Sequence, residues 1–219
     1  MAAIAIDGPA GAGKSTIAKK VAGKLENYIS VDTGAMYRGI AYYLLSNHID
    51  IDNEEELSKA CGGISIVIQY ENKEQQVYLN GENVTPYLRT EETGNMASKS
   101  SAKASVRAAL LDIQRNLAKE YNVVMDGRDI GTNVLPNAEV KIYLTASSKE
   151  RANRRYKELL EKGENPDFDQ IEADIIERDN RDMNRAIAPL KQAEDAILID
   201  SSDMTIDEVV DKILAAVDR

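Results

Sequence analysis

Ile4-Ala5-Ile6-Asp7-Gly8-Pro9-Ala10-Gly11-Ala12-Gly13-Lys14-Ser15-Thr16, near the start of the chain, runs from apolar residues through glycines into helix formers. The order is strand, loop, helix, and the loop reads G-x-x-x-x-G-K-S, the phosphate-cradling P-loop pattern. Glycines let successive backbone N–H groups turn inward and let phosphate oxygens approach without a Cβ in the way. The helix start adds unpaired N–H groups and the positive end of its dipole. Lys14 is placed to reach β- and γ-phosphates, and the Ser15 hydroxyl to join a Mg²⁺ shell. The stretch predicts a site for a nucleoside triphosphate with Mg²⁺.

Outward from this loop, strands and helices alternate. Residues 14–26 predict a helix, with Ile17, Val21 and Leu25 at helical spacing, then a strand at 28–31 and a helix at 35–45. A short helix from Glu54 to Cys61 is expected to stop at Gly62-Gly63. Residues 64–70 and 75–80 alternate with period two, as half-buried antiparallel strands do, around a polar turn at 71–74. Asn80-Gly81 makes a hairpin-type turn. We therefore expect a small antiparallel β insert over residues 62–93, either a surface decoration or a piece that grips substrate. One helix is expected over 94–120, with Val106, Leu110, Ile113 and Leu117 on one face. Strands follow at 123–125 and 140–144, helices at 149–162 and 169–184, a strand at 197–200 and a closing helix at 205–217. Five apolar strands interleaved with helices give an α/β fold, a five-stranded parallel sheet covered by helices on both faces.

The 219 residues suit one domain, 1–219, with the insert inside it. A formal net charge of −10 argues against a nucleic-acid partner, because no global positive field would draw a phosphate backbone in. A small anionic ligand held by clustered arginines stays compatible. Cys61 stands alone, so no internal disulfide forms and a reducing compartment is expected. No leader pattern and no membrane-length apolar run are read, which predicts a cytoplasmic protein without a membrane partner.

In parallel sheets ligands collect beyond the carboxyl ends of the strands. Those ends carry Asp7, Asp32-Thr33, Asp126-Gly127-Arg128-Asp129 and Asp200-Ser201. Asp126 ends an apolar strand, where a carboxylate holds Mg²⁺ or its water in other P-loop enzymes; the other reading is an Asp that orders the loop. Arg38 falls on the first turns of the helix after Asp32-Thr33. Arg178, Arg181, Asp182 and Arg185 fall at i, i+3, i+4, i+7, on one helix face, and Arg151 and Arg155 form an i, i+4 pair on the helix before. Such helices are often solvated surfaces laced with ion pairs. Together, in an acidic protein, they read better as a mobile arginine-rich lid over 149–185, because phosphoryl transfer asks protein mainly for positioning and cations. His48 is expected at the surface, and one His with one Cys builds no zinc site of the usual kind. Tyr37, Tyr42 and Tyr43 are read as core and cleft wall.

With these motifs in hand, the chain resembles the bacterial cytidylate kinases, a family of nucleoside monophosphate kinases with the P-loop kinase fold. The likeness rests on residues 8–16, Asp32-Thr33-Gly34-Ala35-Met36-Tyr37-Arg38, Asp126-Gly127-Arg128-Asp129-Ile130-Gly131-Thr132 and Arg178-Asp179-Asn180-Arg181-Asp182-Met183-Asn184-Arg185-Ala186, together with the inserted sheet. It implies transfer of a phosphoryl group from ATP to CMP or dCMP, with Mg²⁺, in a protein expected to be monomeric. Gly8, Pro9, Ala10, Gly11, Ala12, Gly13, Lys14, Ser15 and Thr16 would hold ATP phosphates. Arg38 and Arg128 would grip the CMP phosphate, with Arg185 spanning both phosphates. Thr33, Arg107 and Asp129 resemble the cytosine-recognising set, while Arg178 and Asp182, with Ser98 nearby, would contact the pentose. Arg178 would also meet the transferred phosphoryl group. The catalytic set would be Lys14, Arg128, Arg178 and Arg185. Arg151 and Arg155 resemble the lid arginines, one of them available to pack on adenine. Some members carry Ser at the position of Thr33; the hydroxyl is kept.

Other readings stay open at this stage. A P-loop kinase for adenylate, guanylate or a sugar acid would differ only in its acceptor. A GTP-binding switch would show N-K-x-D after a strand, and none is present. A nucleic-acid ATPase runs against the charge.

Overall fold

The computed structural model describes residues 1–217. In chain order the elements are β1 (Ala3–Asp7), α1 (Lys14–Lys24), β2 (Tyr28–Asp32), α2 (Thr33–Ser46), α3 (Glu54–Gly63), β3 (Ile66–Glu71), β4 (Glu74–Leu79) and β5 (Glu82–Asn83). Then come α4 (Glu91–Ser100), α5 (Ala104–Glu120), β6 (Asn122–Gly127), β7 (Val140–Thr145), α6 (Ser148–Glu161), α7 (Phe168–Asn184), β8 (Ile197–Asp200) and α8 (Ile206–Val217).

Strand alternation sorts the core into two layers. Along β1, Ile4 and Ile6 face a cluster with Ile17 and Val21 of α1 and Val209, Val210 and Ile213 of α8. Ala5 faces the opposite cluster, built from Met36, Ile40 and Leu44 of α2, Leu57 of α3 and Val106 and Leu110 of α5. β6 does the same, sending Val124 one way and Val123 and Met125 the other. Each such fully buried aliphatic side chain contributes roughly 1.5–3 kcal/mol against exposure. The result is the expected parallel sheet, in the order β2-β6-β1-β7-β8, with helices on both faces. Its register sets Asp32 beside Asp126, Ile6 beside Asp126 and Asp7 beside Gly127, so the acidic strand ends share one edge.

The second sheet, β3-β4-β5, is antiparallel. Pairing of β3 with β4 continues to Glu71 and Glu74, so the turn is tighter than the expected 71–74 and consists of Asn72 and Lys73, both at positive φ. Val77 and Leu79 pack with Ala35 and Tyr42 of α2. Gln75 clamps the backbone of Asp32, accepting its N–H at 2.9 Å and donating to its carbonyl at 3.0 Å. The insert therefore holds the start of α2, the helix that carries Arg38.

Three local expectations fail. Gly62 and Gly63 remain helical, and α3 ends where Ile64 turns extended toward β3. The helix expected over 94–120 is two helices: the Ser101 carbonyl turns toward the Arg107 guanidinium at 3.3 Å, and Lys103 is extended. Arg185 leaves the predicted helix face, because α7 ends at Asn184 and Arg185 is already extended. Among the described residues no helix is long and apolar enough to cross a membrane.

Candidate active site

Five helices, α2, α3, α4, α6 and α7, start under a side-chain cap from Asp32, Asn53, Thr90, Ser147 and Asp167. α1 does not. Its N-cap is Gly13, left-handed at φ 86, with no side-chain bond and no acidic residue in the first turn. Its leading N–H groups are left for an anion. Gly8 shows why the loop is tight: a Cβ there would lie 1.9 Å from the Leu144 carbonyl oxygen.

Lys14 opens α1 and is buried, its Nζ donating to the Pro9 carbonyl at 2.7 Å. Burial, reinforced by Arg128, holds its amine well below the ordinary lysine value. Ser15 donates to Oδ2 of Asp126 at 2.8 Å, while Oδ1 of Asp126 is buried with no partner among the described residues. Burial, then the neighbouring Asp32 charge, pushes the Asp126 carboxyl up to about 7.

Beyond Asp126 the loop presents Arg128, whose Nε donates to Asp182 at 2.9 Å. Burial opposes the charge on Arg128, but Asp182, with Asp126 and Asp179, more than offsets it. Burial likewise opposes ionisation of Asp182, yet Arg128, Arg178 and Arg185 hold its carboxyl low. Arg178 and Arg38 line the same cleft and, among the described residues, form no ion pair. Arg178 keeps a buried Nε with no partner among the described residues, and burial, then repulsion from Arg128, lowers its guanidinium to about 10.

Asp129 is the hub at the other end. It accepts from Arg107 and, at 3.0 Å, from Asn133 on Oδ2, and from Arg185 at 3.0 Å on Oδ1. Arg185 also donates to the Ala188 carbonyl at 2.8 Å. Tyr37 lies under Arg107, with the guanidinium carbon 5.7 Å from the ring centre. Gln114, seven residues from Arg107 on α5, shares that wall with Ile130 and Val134. Thr33 donates to the Asp126 carbonyl at 2.7 Å, which fixes its hydroxyl at the mouth of this recess. Ser98 lines the cleft and accepts from Arg181 at 3.0 Å. Neighbour to neighbour, the cations and carboxylates run from Lys14 through Arg128, Asp182 and Arg185 to Asp129.

The cytidylate kinase family model matches residues 4–219. The chain is 50% identical over 211 residues to the cytidylate kinase of Alkaliphilus oremlandii (strain OhILAs), covering 96% of this chain and 95% of that protein. It is 48% identical over 216 residues to the cytidylate kinase of Bacillus subtilis (strain 168), covering 99% and 96%.

The chain belongs to the cytidylate kinase family.

A solved structure of an uncharacterized protein from Eubacterium ventriosum (ATCC 27560) covers 100% of this chain and 99% of its own, at TM-score 0.55 and 13% identity, a likeness of fold alone. Of the residues that the likeness to cytidylate kinases singled out, the cleft gathers Ala10, Gly11, Gly13, Lys14, Ser15, Thr16, Thr33, Arg38, Ser98, Asp126, Arg128, Asp129, Arg178, Asp182 and Arg185 along its walls. Arg107 reaches it through Asp129. Arg151 and Arg155 do not line it. Arg151 is buried beneath the P-loop, donating to the carbonyls of Ala146 at 2.9 Å and Ala10 at 2.8 Å and pairing with Asp179 at 2.6 Å. Asp179 also accepts the Ala10 N–H at 3.2 Å. Arg155, one turn on, is half-buried and paired with Glu158. Asp179, Ser101 and Gln114 were missed in the sequence; only the seven-residue step from Arg107 to Gln114 could have flagged the last.

The raised Asp126 carboxyl has a consequence for stability. A folded-state pKa near 7 against an ordinary 3.8 means the native protein keeps a proton that the unfolded chain has released. This stabilising term is complete below pH 4 and is lost as pH rises through about 7. Without nucleotide, Asp126→Asn should therefore be more stable than the parent at pH 8 by about 1 kcal/mol or more. The gap should close toward pH 4. Urea unfolding across that range measures it, and a pH-independent gap would contradict the burial argument.

Proposed function

We propose that the chain transfers the γ-phosphoryl group of ATP to CMP and dCMP, giving ADP with CDP or dCDP. The observation that carries this is one cleft joining an uncapped P-loop helix to an acceptor-only carboxylate, with unpaired arginines between them. The nucleophile is a phosphate oxygen of CMP, already ionised at neutral pH, so no general base is required. A bond forms from that oxygen to the γ-phosphorus, and the bond from phosphorus to the bridging oxygen of ADP breaks. Protein then has to align the two nucleotides and meet the charge on the transferred group.

Lys14 and the N–H groups of the P-loop from Gly11 to Thr16 hold the donor phosphates. Arg38 and Arg128 hold the acceptor phosphate, Asp182 orients Arg128, and Arg178 faces the group in flight. Arg151 acts on the donor site through Ala10, whose N–H and carbonyl are taken by Asp179 and Arg151. Ser15 and the partnerless Oδ1 of Asp126 offer oxygen donors of the kind Mg²⁺ takes. Among the described residues no cluster of three His, Cys, Asp or Glu offers a full cage, which fits an ion carried mainly by phosphates. When bound, Mg²⁺ neutralises charge on the β- and γ-oxygens. The three-stranded insert, within 62–93, steadies the acceptor end through α2, and residues 149–185 form the lid. Every group needed comes from one chain, so a monomer suffices.

Base choice follows from lone-pair accounting at Asp129. A carboxylate has about four acceptor positions, and three are taken by Arg107, Asn133 and Arg185. One is left, suited to the exocyclic amine of cytosine and repelled by the carbonyl that uracil carries there. We expect kcat/KM for CMP to exceed that for UMP by about a hundredfold or more. A coupled assay with CMP, dCMP, UMP and AMP side by side tests the whole reading; equal rates for CMP and UMP would overturn it.

A further inference from the structure

The segment that carries Asp129 runs directly into a single wide helical turn, Ile130–Val134, with Asp129 itself at the capping position. An aspartate there ordinarily turns its own oxygen onto the N–H groups ahead of it. Asp129 makes no such cap, since its oxygens serve Arg107, Asn133 and Arg185. The N–H groups of Ile130 and Gly131 go elsewhere: they donate to Oδ1 and Oδ2 of Asp7, at 2.8 and 2.7 Å. Asp7 ends the neighbouring strand β1, opposite Gly127, and reaches across from there. It is 5% exposed and, among the described residues, belongs to no ion pair. Nearby Lys141 spends its ammonium on Pro136 and Asp195, and only its stem lies against Gly131. The Lys14 ammonium draws on Asp7 only from beyond ion-pair range, and a carboxylate buried without a paired cation works against folding. Its presence calls for a role that an apolar residue would not fill.

We propose that Asp7 is a positioning residue for base selection: it caps the 130–134 turn in place of Asp129 and so frees the Asp129 carboxylate for the cleft. The proposal rests on the reading above, in which Asp129 meets the exocyclic amine. It also makes the strand that feeds the P-loop the anchor of the acceptor-reading loop, so donor and acceptor sites share one fixed point.

Asp7→Asn is the direct test. The amide offers one oxygen where two N–H groups need acceptors, and it sets an NH₂ against the other donor. We expect kcat/KM for CMP to fall on the order of tenfold or more, UMP to change less, and KM for ATP to hold. The CMP-over-UMP ratio therefore shrinks, which a loss of folded protein alone would not produce. In an Asp129→Asn background, Asp7→Asn should shrink that ratio no further. Gly131→Ala crowds the same turn from the other side: its Cβ would touch Asp7 Oδ2 at an ordinary 3.4 Å but come within 3.1 Å of Lys141 Cδ, which shifts the turn against Asp7 by a few tenths of an ångström. It should shrink the ratio too, and it decides the matter if Asp7→Asn does not fold. Equal losses for CMP and UMP, or an undiminished effect in the Asp129→Asn background, overturn the proposal. A ratio that collapses in Asp129→Asn but in neither Asp7→Asn nor Gly131→Ala removes only the positioning role. A ratio intact in Asp129→Asn removes the base reading itself, and this inference with it.

Discussion

Replacing Lys14 with alanine is expected to lower kcat on the order of a thousandfold while the protein still folds. The two halves of that expectation have one cause. Lys14 is 6% exposed, and among the described residues the only hydrogen-bond partner of its ammonium is the Pro9 carbonyl. Burial and the Arg128 charge both disfavour the ammonium form, so without nucleotide the charge is a burden on the fold. A triphosphate reverses this, because the developing negative charge lies beside a cation that has already lost its water. Lys14→Met separates the terms: it keeps most of the stem and discards the charge. It should be as slow as the alanine variant, yet melt no lower than the parent without ligand. Initial rates at saturating CMP and ATP, with thermal melts of the free proteins, measure both. Near-normal turnover in either variant, or a clear drop in the Met variant's melting temperature, would show that the lysine serves structure instead.

Why Lys14 was legible from sequence and Arg151 was not is a matter of locality. The P-loop is contiguous, and its glycines, its lysine and the strand and helix around it are readable in one window. Arg151 and Arg155 share an i, i+4 spacing, which says that they lie on one helix face but not how far along the helix the P-loop sits. In the folded chain the first turn of α6 meets Ala10 and the second is already partly in solvent, so one arginine is buried and its partner only half-buried. The run from Glu177 to Arg185 shows the same limit. Asp179 and Asp182 turn inward and Arg181 partly outward, a choice set by how α7 seats on α6 and the P-loop. The break between α4 and α5 was also out of reach. Ser101 and Lys103 are acceptable helix residues, and the interruption comes from a carbonyl drawn to Arg107. Asp7 could be placed on the catalytic edge because it ends a strand, but its bonds to Ile130 and Gly131 cross more than half the chain.

The largest effect outside the P-loop should follow from removing Arg178, and it should appear in kcat. Arg128 is held by Asp182, and Arg185 by Asp129. Arg178 lies beside the first of these pairs with a buried Nε that has no partner among the described residues, and like charges on Arg128, Arg38 and Arg181 press on it against the pull of Asp182. A guanidinium kept in that position gains most when extra negative charge arrives, and that charge is greatest as the phosphoryl group passes between nucleotides. Arg178→Ala should lower kcat about a thousandfold, in the range of arginines that meet a transferring phosphoryl group. KM for CMP should move only a few-fold, because Arg38 and Arg128 still hold the acceptor phosphate. The free variant should be at least as stable as the parent, since a repelled, partly buried charge has gone. Arg178→Lys keeps a charge but loses the fork that grips two oxygens, so it should recover only part of the rate. Steady-state kinetics with CMP varied at saturating ATP separates the alternatives: a raised KM with kcat preserved would make Arg178 an anchor for the acceptor, not a partner of the group in transit.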